Sequence, residues 1–372
     1  MRTLILSCNT GGGHNSCAAA LKDAYDAHGE RCDIADALQF ISPRASRLIS
    51  GFHTGVYRRI PKLFSTGYQE AERHESIFRS GMPVYRYLAS GAGRLLEYIE
   101  AGGYDNIICT HVFSALTMTA LREEYFPGLT ASFVSTDYTC SPGVAETRLD
   151  RYFIPAGLSG EFISCGVPEE KLCVSGIPAR AVFYARRDKA AAREKLGLPE
   201  DCRHLLMMCG SMGCGPIEEL TELISGALTP GEILTVVCGS NEELCSKLRR
   251  QYGSRENVRI EGLVKDVPLL MQSADLFLTK PGGLSTTEAA ASRLPMVLID
   301  AVAGCEKHNL EYFLRLGAAR TAPSPAALAV TALRLLEDKP ALSAMSAACG
   351  ERGEATPAEL IRSQLSDICK EA

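Results

Sequence analysis

The sequence predicts an α/β protein made of two doubly wound parallel sheets, and two observations carry this prediction. Short β-rich apolar runs alternate with helical stretches, which is the pattern of a parallel sheet covered by helices. A glycine loop follows the first predicted strand of each half: Gly-Gly-Gly-His at residues 11–14 and Gly-Ser-Met-Gly at residues 210–213. The 372 residues suffice for two domains. We therefore expect two similar nucleotide-binding-type domains in tandem, facing each other across a cleft.

The predicted strands are apolar runs that are short and bounded by turn residues. In the first half they cover residues 3–7, 107–110, 132–135 and 152–154, and in the second half residues 205–209, 234–238, 258–261, 276–279 and 296–299. A Gly/Pro break at residues 175–178 marks the boundary between the halves. We predict domains over residues 1–177 and 178–355, with a C-terminal helix over residues 356–372 that can pack back on the first domain.

Composition excludes several classes of protein. The net charge of −5 argues against general nucleic-acid binding. No apolar run reaches the roughly 18 residues of a membrane span. The 15 cysteines include no C-x-x-C pair, so neither zinc spacing nor a disulfide framework is expected. A reducing cytoplasm fits this cysteine content best.

The strongest indication of function lies in the turn that follows the predicted strand 276–279. Lys-Pro-Gly-Gly at residues 280–283 precedes a helix start, whose free N–H groups and positive dipole form an anion site. Hydroxyls in the first helical turn can bind phosphate, and Glu288 can reach a sugar diol. This arrangement suits a nucleotide diphosphate that carries a sugar. The candidate residues are Gly282, Gly283, Ser285, Thr286 and Glu288.

Two other loops of the second half are candidates for the same ligand. Gly210, Ser211 and Gly213 lie between a strand and a helix, where a second phosphate contact is expected, although an ordinary strand-to-helix loop would look similar. The run Glu306-Lys307-His308-Asn309 can grip the hydroxyls of a donor sugar. Its alternative interpretation is a solvated helix start.

In the first half, Gly12, Gly13 and His14 follow the first strand, and Asp137 follows another strand. The carboxyl ends of parallel strands line the ligand crevice of an open sheet, so His14 and Asp137 are candidates for a general base. A tight turn and a helix-capping aspartate are the alternatives.

Residues 41–69 contain basic and aromatic side chains and neither Asp nor Glu, which is unusual in an acidic protein. The candidates for contact with an anionic membrane and a lipid acceptor are Arg58, Arg59, Lys62 and Phe64, together with Gly12 and Gly13 of the first glycine loop. An amphipathic core helix with a basic solvent face is the alternative. No D-x-D motif is present in the sequence, so binding of a diphosphate without a divalent metal is expected.

Taken in order, these motifs resemble the monogalactosyldiacylglycerol synthases and processive diacylglycerol glucosyltransferases of glycosyltransferase family 28. The resemblance spans nearly the whole chain and rests on the glycine loop at 11–14, the stretches 134–138 and 174–178, and the loops at 210–216, 280–288 and 304–309.

The resemblance implies a GT-B fold, with an N-terminal acceptor domain and a C-terminal domain that binds a UDP-sugar. Glu288 is then expected at the ribose, Ser285 and Thr286 at the diphosphate opposite the Gly213 loop, and the backbone near Leu263 at uracil. Glu306 and Lys307 should face the donor sugar, and His14 and Asp137 the acceptor hydroxyl. Lys307 differs from the plant galactosyl enzymes, which favours glucose.

The resulting hypothesis is an inverting transfer of a hexose from UDP-glucose or UDP-galactose to diacylglycerol or a glycosylated diacylglycerol, at the cytoplasmic membrane surface. The enzyme would need no cofactor, since the UDP-sugar is a substrate. The alternatives are a UDP-N-acetylglucosamine-using transferase or epimerase of the same fold and a non-catalytic UDP-sugar sensor. The sequence leaves open which of His14 and Asp137 is the base, and also the oligomeric state.

Overall fold

The computed structural model describes residues 1–9, 12–42, 75–185, 188–299, 304–350 and 353–371. The chain divides into two compact units. The N-terminal unit comprises Met1–Ala181, Val302–His308 and Glu354–Ala372, and the C-terminal unit comprises Val182–Ala301 and Asn309–Gly353. Each unit contains one parallel sheet of six strands with helices around it.

The sheet of the N-terminal unit has the strand order β2-β1-β3-β4-β5-β6. Three consecutive residues of β1, Leu4, Ile5 and Leu6, are fully buried, as expected for a strand covered by helices on both faces. The strands are β1 Arg2–Ser7, β2 Arg31–Asp36, β3 Asn106–Cys109, β4 Thr130–Val134, β5 Arg151–Ile154 and β6 Leu172–Val174.

The sheet of the C-terminal unit has the order β12-β11-β10-β7-β8-β9, which is the order typical of dinucleotide-binding domains. Its core packs Leu205 and Leu234 of the central strands against helical side chains such as Leu220 and Leu328. The strands are β7 Arg203–Met208, β8 Glu232–Val237, β9 Val258–Glu261, β10 Leu276–Thr279, β11 Met296–Leu298 and β12 Ala319–Arg320.

Helices connect the strands throughout both units. The described helices, in chain order, are α1 Gly12–Ala27, α2 Leu38–Ile41, α3 Pro83–Ala89, α4 Ala92–Gly102, α5 Val112–Glu124, α6 Ser159–Ser164, α7 Ala181–Tyr184, α8 Lys189–Leu196, α9 Ile217–Ser225, α10 Glu242–Tyr252, α11 Val267–Ser273, α12 Gly283–Ala291, α13 Cys305–Leu316, α14 Pro325–Glu337, α15 Lys339–Ala348 and α16 Pro357–Glu371. Within the ranges that the structure describes, none of them is long and apolar enough to cross a membrane.

The C-terminal helix α16 belongs to the N-terminal unit and packs against α1. Arg362 Nη1 donates a hydrogen bond to Glu30 Oε1 at 2.9 Å, and Glu359 Oε2 lies 3.7 Å from His28 Nδ1. Burial of Ile361 and Leu365 completes the contact. A segment 357 residues along the chain is therefore part of the first compact unit.

The α/β class predicted from the sequence is confirmed, with two doubly wound parallel sheets. All nine predicted strands are present, but three further strands were not predicted: β2, β6 and β12. All three lie at sheet edges. An edge strand is buried less completely than a central one, and β2 carries three charged residues that interrupt an apolar run. The strands β6 and β12 are only three and two residues long, which is too short to give a run that stands out in the sequence.

Candidate active site

Both glycine loops predicted from the sequence lie where the strand order of a sheet reverses. In the N-terminal unit the loop follows β1, whose neighbours β2 and β3 lie on opposite sides of it. In the C-terminal unit the second loop follows β7, between β8 and β10. In open α/β sheets, ligands bind beyond the carboxyl ends of the strands at such reversal points.

His14 lies in the first turn of α1, at the reversal point of the N-terminal sheet, and its side chain is partly exposed. Its ring Nδ1 lies 2.9 Å from the backbone oxygen of Thr110 and 3.0 Å from Thr136 Oγ1. Because a carbonyl oxygen can only accept, this geometry assigns the ring proton to Nδ1. The other ring nitrogen, Nε2, therefore carries the lone pair and can accept a proton.

The surroundings of His14 also favour its neutral form. Burial lowers the pKa of His14 below its usual value, and the Asp137 carboxylate and the Thr110 carbonyl oppose this shift only in part. A histidine with a lowered pKa is unprotonated at neutral pH. His14 is thus prepared, by tautomer and by charge, to act as a general base.

Asp137 follows β4 in a turn that other side chains hold in place. Ser135 Oγ donates to the Asp137 carbonyl oxygen at 2.8 Å. Glu161 of α6 accepts hydrogen bonds from the Thr139 hydroxyl at 2.6 Å and from the Cys140 N–H at 2.7 Å. The carboxylate of Asp137 is partly exposed and close enough to His14 to favour its protonated form. A rigid turn thus places a negative charge beside the candidate base.

His111, which directly follows Thr110 at the carboxyl end of β3, was not predicted from the sequence as a site residue. Its ring packs edge-on against the His14 ring, with the ring centroids 4.4 Å apart and the planes at 70°. Its position after a predicted strand end was a signal, since the same argument had selected Asp137. Two histidines and one aspartate therefore gather at this end of the sheet.

In the C-terminal unit, the loop after β7 is shaped by a close backbone contact. Gly213 has φ of +59°, and a Cβ atom built on it would lie 2.1 Å from the carbonyl oxygen of Cys238. Its N–H donates to the Gly210 carbonyl at 3.3 Å, and its own carbonyl accepts from Asn241 Nδ2 at 3.3 Å. Only glycine fits this position without distortion.

The turn after β10 lies next to this loop. Lys280 Cε is 3.7 Å from the position of a Cβ on Gly210, so the ammonium group lies near the loop. Helix α12 begins directly afterwards with Gly282 as its N-cap residue and without a side-chain cap. Asn309 is fully buried, and its Nδ2 donates to the Pro281 carbonyl at 3.0 Å. Asn309 therefore holds the turn, which brings a cation and a helix N-terminus to one place.

The first-turn hydroxyls of α12 differ in what they can offer a ligand. Thr286 is fully buried, and its hydroxyl lies 2.9 Å from the Gly282 carbonyl and 3.0 Å from the Gly283 carbonyl. Thr287 Oγ1 donates to the Gly283 carbonyl at 2.6 Å. Both hydroxyl protons are therefore directed at the backbone. Ser285 and Glu288 are partly exposed.

Comparison with known proteins supplies the family. The family model of monogalactosyldiacylglycerol (MGDG) synthase matches residues 14–179, and that of glycosyl transferases group 1 matches residues 219–355. The processive diacylglycerol beta-glucosyltransferase of Staphylococcus saprophyticus is 30% identical over 265 residues, which are 70% of this chain and 66% of that protein. The enzyme of the same name from Bacillus pumilus is 28% identical over 355 residues, 92% of this chain and 89% of that protein.

The chain belongs to the glycosyltransferase family of the MGDG synthases and the processive diacylglycerol glucosyltransferases.

Solved structures agree on the GT-B fold of the family. Acinetobacter baumannii MurG has a TM-score of 0.64 at 15% identity, and the superposition covers 98% of this chain and 99% of the MurG chain. The spinosyn rhamnosyltransferase SpnG has a TM-score of 0.63 at 15% identity, with 98% and 100% covered. At such low identity these structures show the fold alone.

The remaining predicted site residues of this glycosyltransferase differ from one another in how exposed they are to solvent. Leu263 follows β9 and is 73% exposed, which is unusual for a leucine. Lys307 is exposed, whereas Glu306 beside it is buried. Gly12 and Gly13 open α1 in front of His14. Four predicted membrane and acceptor residues lie outside the described residues: Arg58, Arg59, Lys62 and Phe64.

Proposed function

We propose that this protein transfers a hexose, with inversion, from a UDP-sugar to diacylglycerol or a glycosylated diacylglycerol. The observation that carries the catalytic part is the hydrogen bond between His14 Nδ1 and the Thr110 carbonyl, which leaves Nε2 as the proton acceptor. Family membership supports the reaction class, and the names of the relatives support diacylglycerol as the acceptor. Those names and Lys307 also favour glucose as the sugar.

In the proposed reaction, His14 Nε2 takes the proton of the acceptor hydroxyl. The hydroxyl oxygen then bonds to the anomeric carbon of the sugar as the bond from that carbon to the UDP oxygen breaks. Asp137 stabilises the imidazolium that forms, because its carboxylate favours the protonated ring. Such base assistance typically contributes about 10²–10⁴-fold. This assigns His14 rather than Asp137 as the base.

The leaving UDP gains negative charge, which the turn after β10 is suited to stabilise. We assign the diphosphate to the N-terminus of α12, Ser285, Lys280 and the loop at residues 210–213, since these groups are close together in the C-terminal unit. Thr286 is not assigned to phosphate, because its hydroxyl is directed at backbone carbonyls. Removing one preorganised donor from such a site commonly costs about 10²–10³-fold in kcat.

The rest of the donor assignment follows the family resemblance. Glu288 is assigned to the ribose hydroxyls, the backbone at Leu263 to uracil, and Glu306 and Lys307 to the hexose. Glu288→Ala should then weaken UDP binding, and an unchanged affinity would remove the ribose assignment. Binding without a metal predicts that transfer survives an excess of EDTA.

Exposed apolar side chains on two helices of the N-terminal unit that pack against each other support action at a membrane surface. These residues, which we call the apolar face, are 36% to 53% exposed and lie on or beside α3 and at the end of α5: Met82, Val84, Tyr87, Tyr125 and Phe126. The exposed Arg86 lies in α3 itself. Apolar and basic side chains together suit an anionic lipid surface, here proposed to be the cytoplasmic face of the cell membrane.

Vesicle flotation tests this placement. The double variant Tyr87→Ser, Phe126→Ser should float less with anionic vesicles than the wild type, whereas Val330→Ser, which changes an exposed apolar residue of the C-terminal unit, should float normally. Equal flotation of all three proteins would contradict the assignment of the apolar face.

The decisive experiment incubates the protein with labelled UDP-glucose, UDP-galactose or UDP-N-acetylglucosamine and diacylglycerol vesicles, followed by lipid extraction. Labelled glycolipid that depends on both substrates is the expected result, with UDP-glucose preferred. Conversion of UDP-N-acetylglucosamine without an acceptor would instead identify an epimerase. UDP-sugar binding without any turnover would identify a sensor.

A further inference from the structure

His111 carries out a task that other residue types usually perform. It is the N-cap residue of α5, and its ring Nδ1 accepts a hydrogen bond from the Phe113 N–H at 3.0 Å. Asn, Asp, Ser and Thr are the preferred residues at this position. Any of them would cap the helix, but none of them would place an aromatic ring against His14, as His111 does.

The cap fixes where the His111 ring carries its proton. Because Nδ1 accepts a hydrogen bond, the proton of the neutral ring lies on Nε2. A second proton would have to bind at Nδ1, which would turn the acceptor into a donor that faces the Phe113 N–H. The helix cap therefore favours the uncharged form of His111.

The same ring is in contact with His14. The ring centroids lie 4.4 Å apart at an interplanar angle of 70°, so the edge of one ring meets the face of the other. Thr110 and Thr136 hold His14 at Nδ1, and His111 covers a different part of the ring. Because the cap occupies Nδ1 of His111, the ring meets His14 in one fixed orientation.

We propose that His111 is a positioning residue for His14: its capped ring holds the His14 imidazole in orientation and keeps water from one side of it. The proposal rests on the proposed function only in taking His14 as the base. Within the described parts of the chain, Asp137 is the charged group that faces His14, and its carboxylate raises the pKa of His14 while burial lowers it more. Removing the His111 ring should weaken the effect of burial and leave that of Asp137.

The test separates the ring of His111 from its cap. His111→Asn keeps a hydrogen-bond acceptor at the N-cap and removes the ring, whereas His111→Phe keeps a ring and removes the cap. Ser324→Ala removes the exposed N-cap of α14 and serves as a control for helix capping alone. NMR of the protein labelled with ¹⁵N-histidine reports the tautomer and the titration of His14, with its signal assigned through its loss in His14→Gln.

In the wild type we expect the Nδ1–H tautomer at His14 and the Nε2–H tautomer at His111. In His111→Asn the titration of His14 and the acid limb of kcat/KM should both move to higher pH, and kcat should fall by about 10- to 100-fold while KM for the UDP-sugar is unchanged. Ser324→Ala should match the wild type in these properties.

An unmoved His14 titration in His111→Asn would overturn the proposal, as would an Nε2–H tautomer at His14. If His111→Asn does not fold, the same titration in His111→Ser decides, because serine also keeps a cap acceptor and removes the ring, and an unmoved His14 titration there would overturn the proposal. The NMR result does not depend on turnover. A wild-type protein that shows the expected titration but transfers no sugar would refute the proposed function and leave this inference standing.

Discussion

The Gly213→Ala substitution tests the shape of the proposed diphosphate loop. Gly213 has φ of +59°, and an added Cβ would lie 2.1 Å from the carbonyl oxygen of Cys238. That oxygen cannot move freely, because it accepts a hydrogen bond from the Asn241 N–H at 3.2 Å at the start of α10. The methyl group must therefore displace the loop that contains Gly213.

Gly197 provides a matched control in the same unit. Its φ is +60°, and a Cβ built on it would meet nothing within 4 Å. Both substitutions impose the left-handed conformation on alanine, at about 1–2 kcal/mol. Only Gly213→Ala adds overpacking, typically about 1–3 kcal/mol. The free energy of unfolding should fall by about 2–5 kcal/mol in Gly213→Ala and by about 1–2 kcal/mol in Gly197→Ala.

Urea unfolding measures the stability difference, and titration calorimetry with UDP measures the effect on the site. Loss of one hydrogen bond to a charged phosphate, about 1.5–3 kcal/mol, would raise the Kd of UDP in Gly213→Ala by about 10- to 150-fold. Gly197→Ala should bind UDP as the wild type does. Equal loss of stability in the two variants, together with an unchanged UDP affinity, would refute the reasoning.

Three other predictions concern the base and the buried charges. His14→Gln should lower kcat by about 10²–10⁴-fold and leave UDP binding unchanged, so near-normal turnover would exclude the assigned role. Asp275→Asn should lower the free energy of unfolding in urea by about 3–5 kcal/mol, because it leaves the buried Arg193 guanidinium, 2.7 Å from the Asp275 carboxylate, without its charged partner. The control Asp266→Asn keeps a helix cap and should change this free energy little. Burial lowers the pKa of His204 to about 4. As the pH falls below 6.5, the unfolded chain therefore binds a proton at His204 before the folded chain does, and the free energy of unfolding should fall by about 3 kcal/mol between pH 6.5 and 4. A stability that does not change over this pH range would contradict the prediction.

The sequence predicted the central strands of both sheets and missed three of the four edge strands. Central strands such as β1 and β7 are buried over five consecutive residues because helices cover both faces, and their apolar centres, Leu4–Leu6 and Leu205–Met208, leave a clear run in the sequence. The edge strand β2 has only two buried positions among its six residues and contains two aspartates. Such a strand is defined by pairing with β1, a long-range contact that its own residues do not reveal.

The candidate site was predictable where backbone geometry decides and less so where side chains choose between partners. The loop after β7 was predicted from its glycines and its position after a strand, and close backbone approach at Gly213 excludes other residues there. Asn309 and Thr286 were predicted as ligand contacts from their polarity and position. In the structure both donate to backbone carbonyls of the turn before or within α12. Their choice of partner depends on distances that sequence order does not specify.

His14 also bonds to a backbone carbonyl, yet it keeps a second ring nitrogen as a proton acceptor, and the difference lies in the number of polar atoms. A threonine hydroxyl has one proton, so a Thr286 that donates it to a carbonyl has none left for a phosphate oxygen. An imidazole has two nitrogens, so the bond from Nδ1 to Thr110 fixes the ring and at the same time places the lone pair on Nε2. The same kind of contact therefore has opposite effects: a hydrogen bond to a backbone carbonyl leaves Thr286 without a proton for a ligand, whereas it leaves His14 with a free proton acceptor. This is why His14→Gln, which keeps the size and polarity of the side chain but offers no basic nitrogen, is a sharper test of the site than a truncation to alanine.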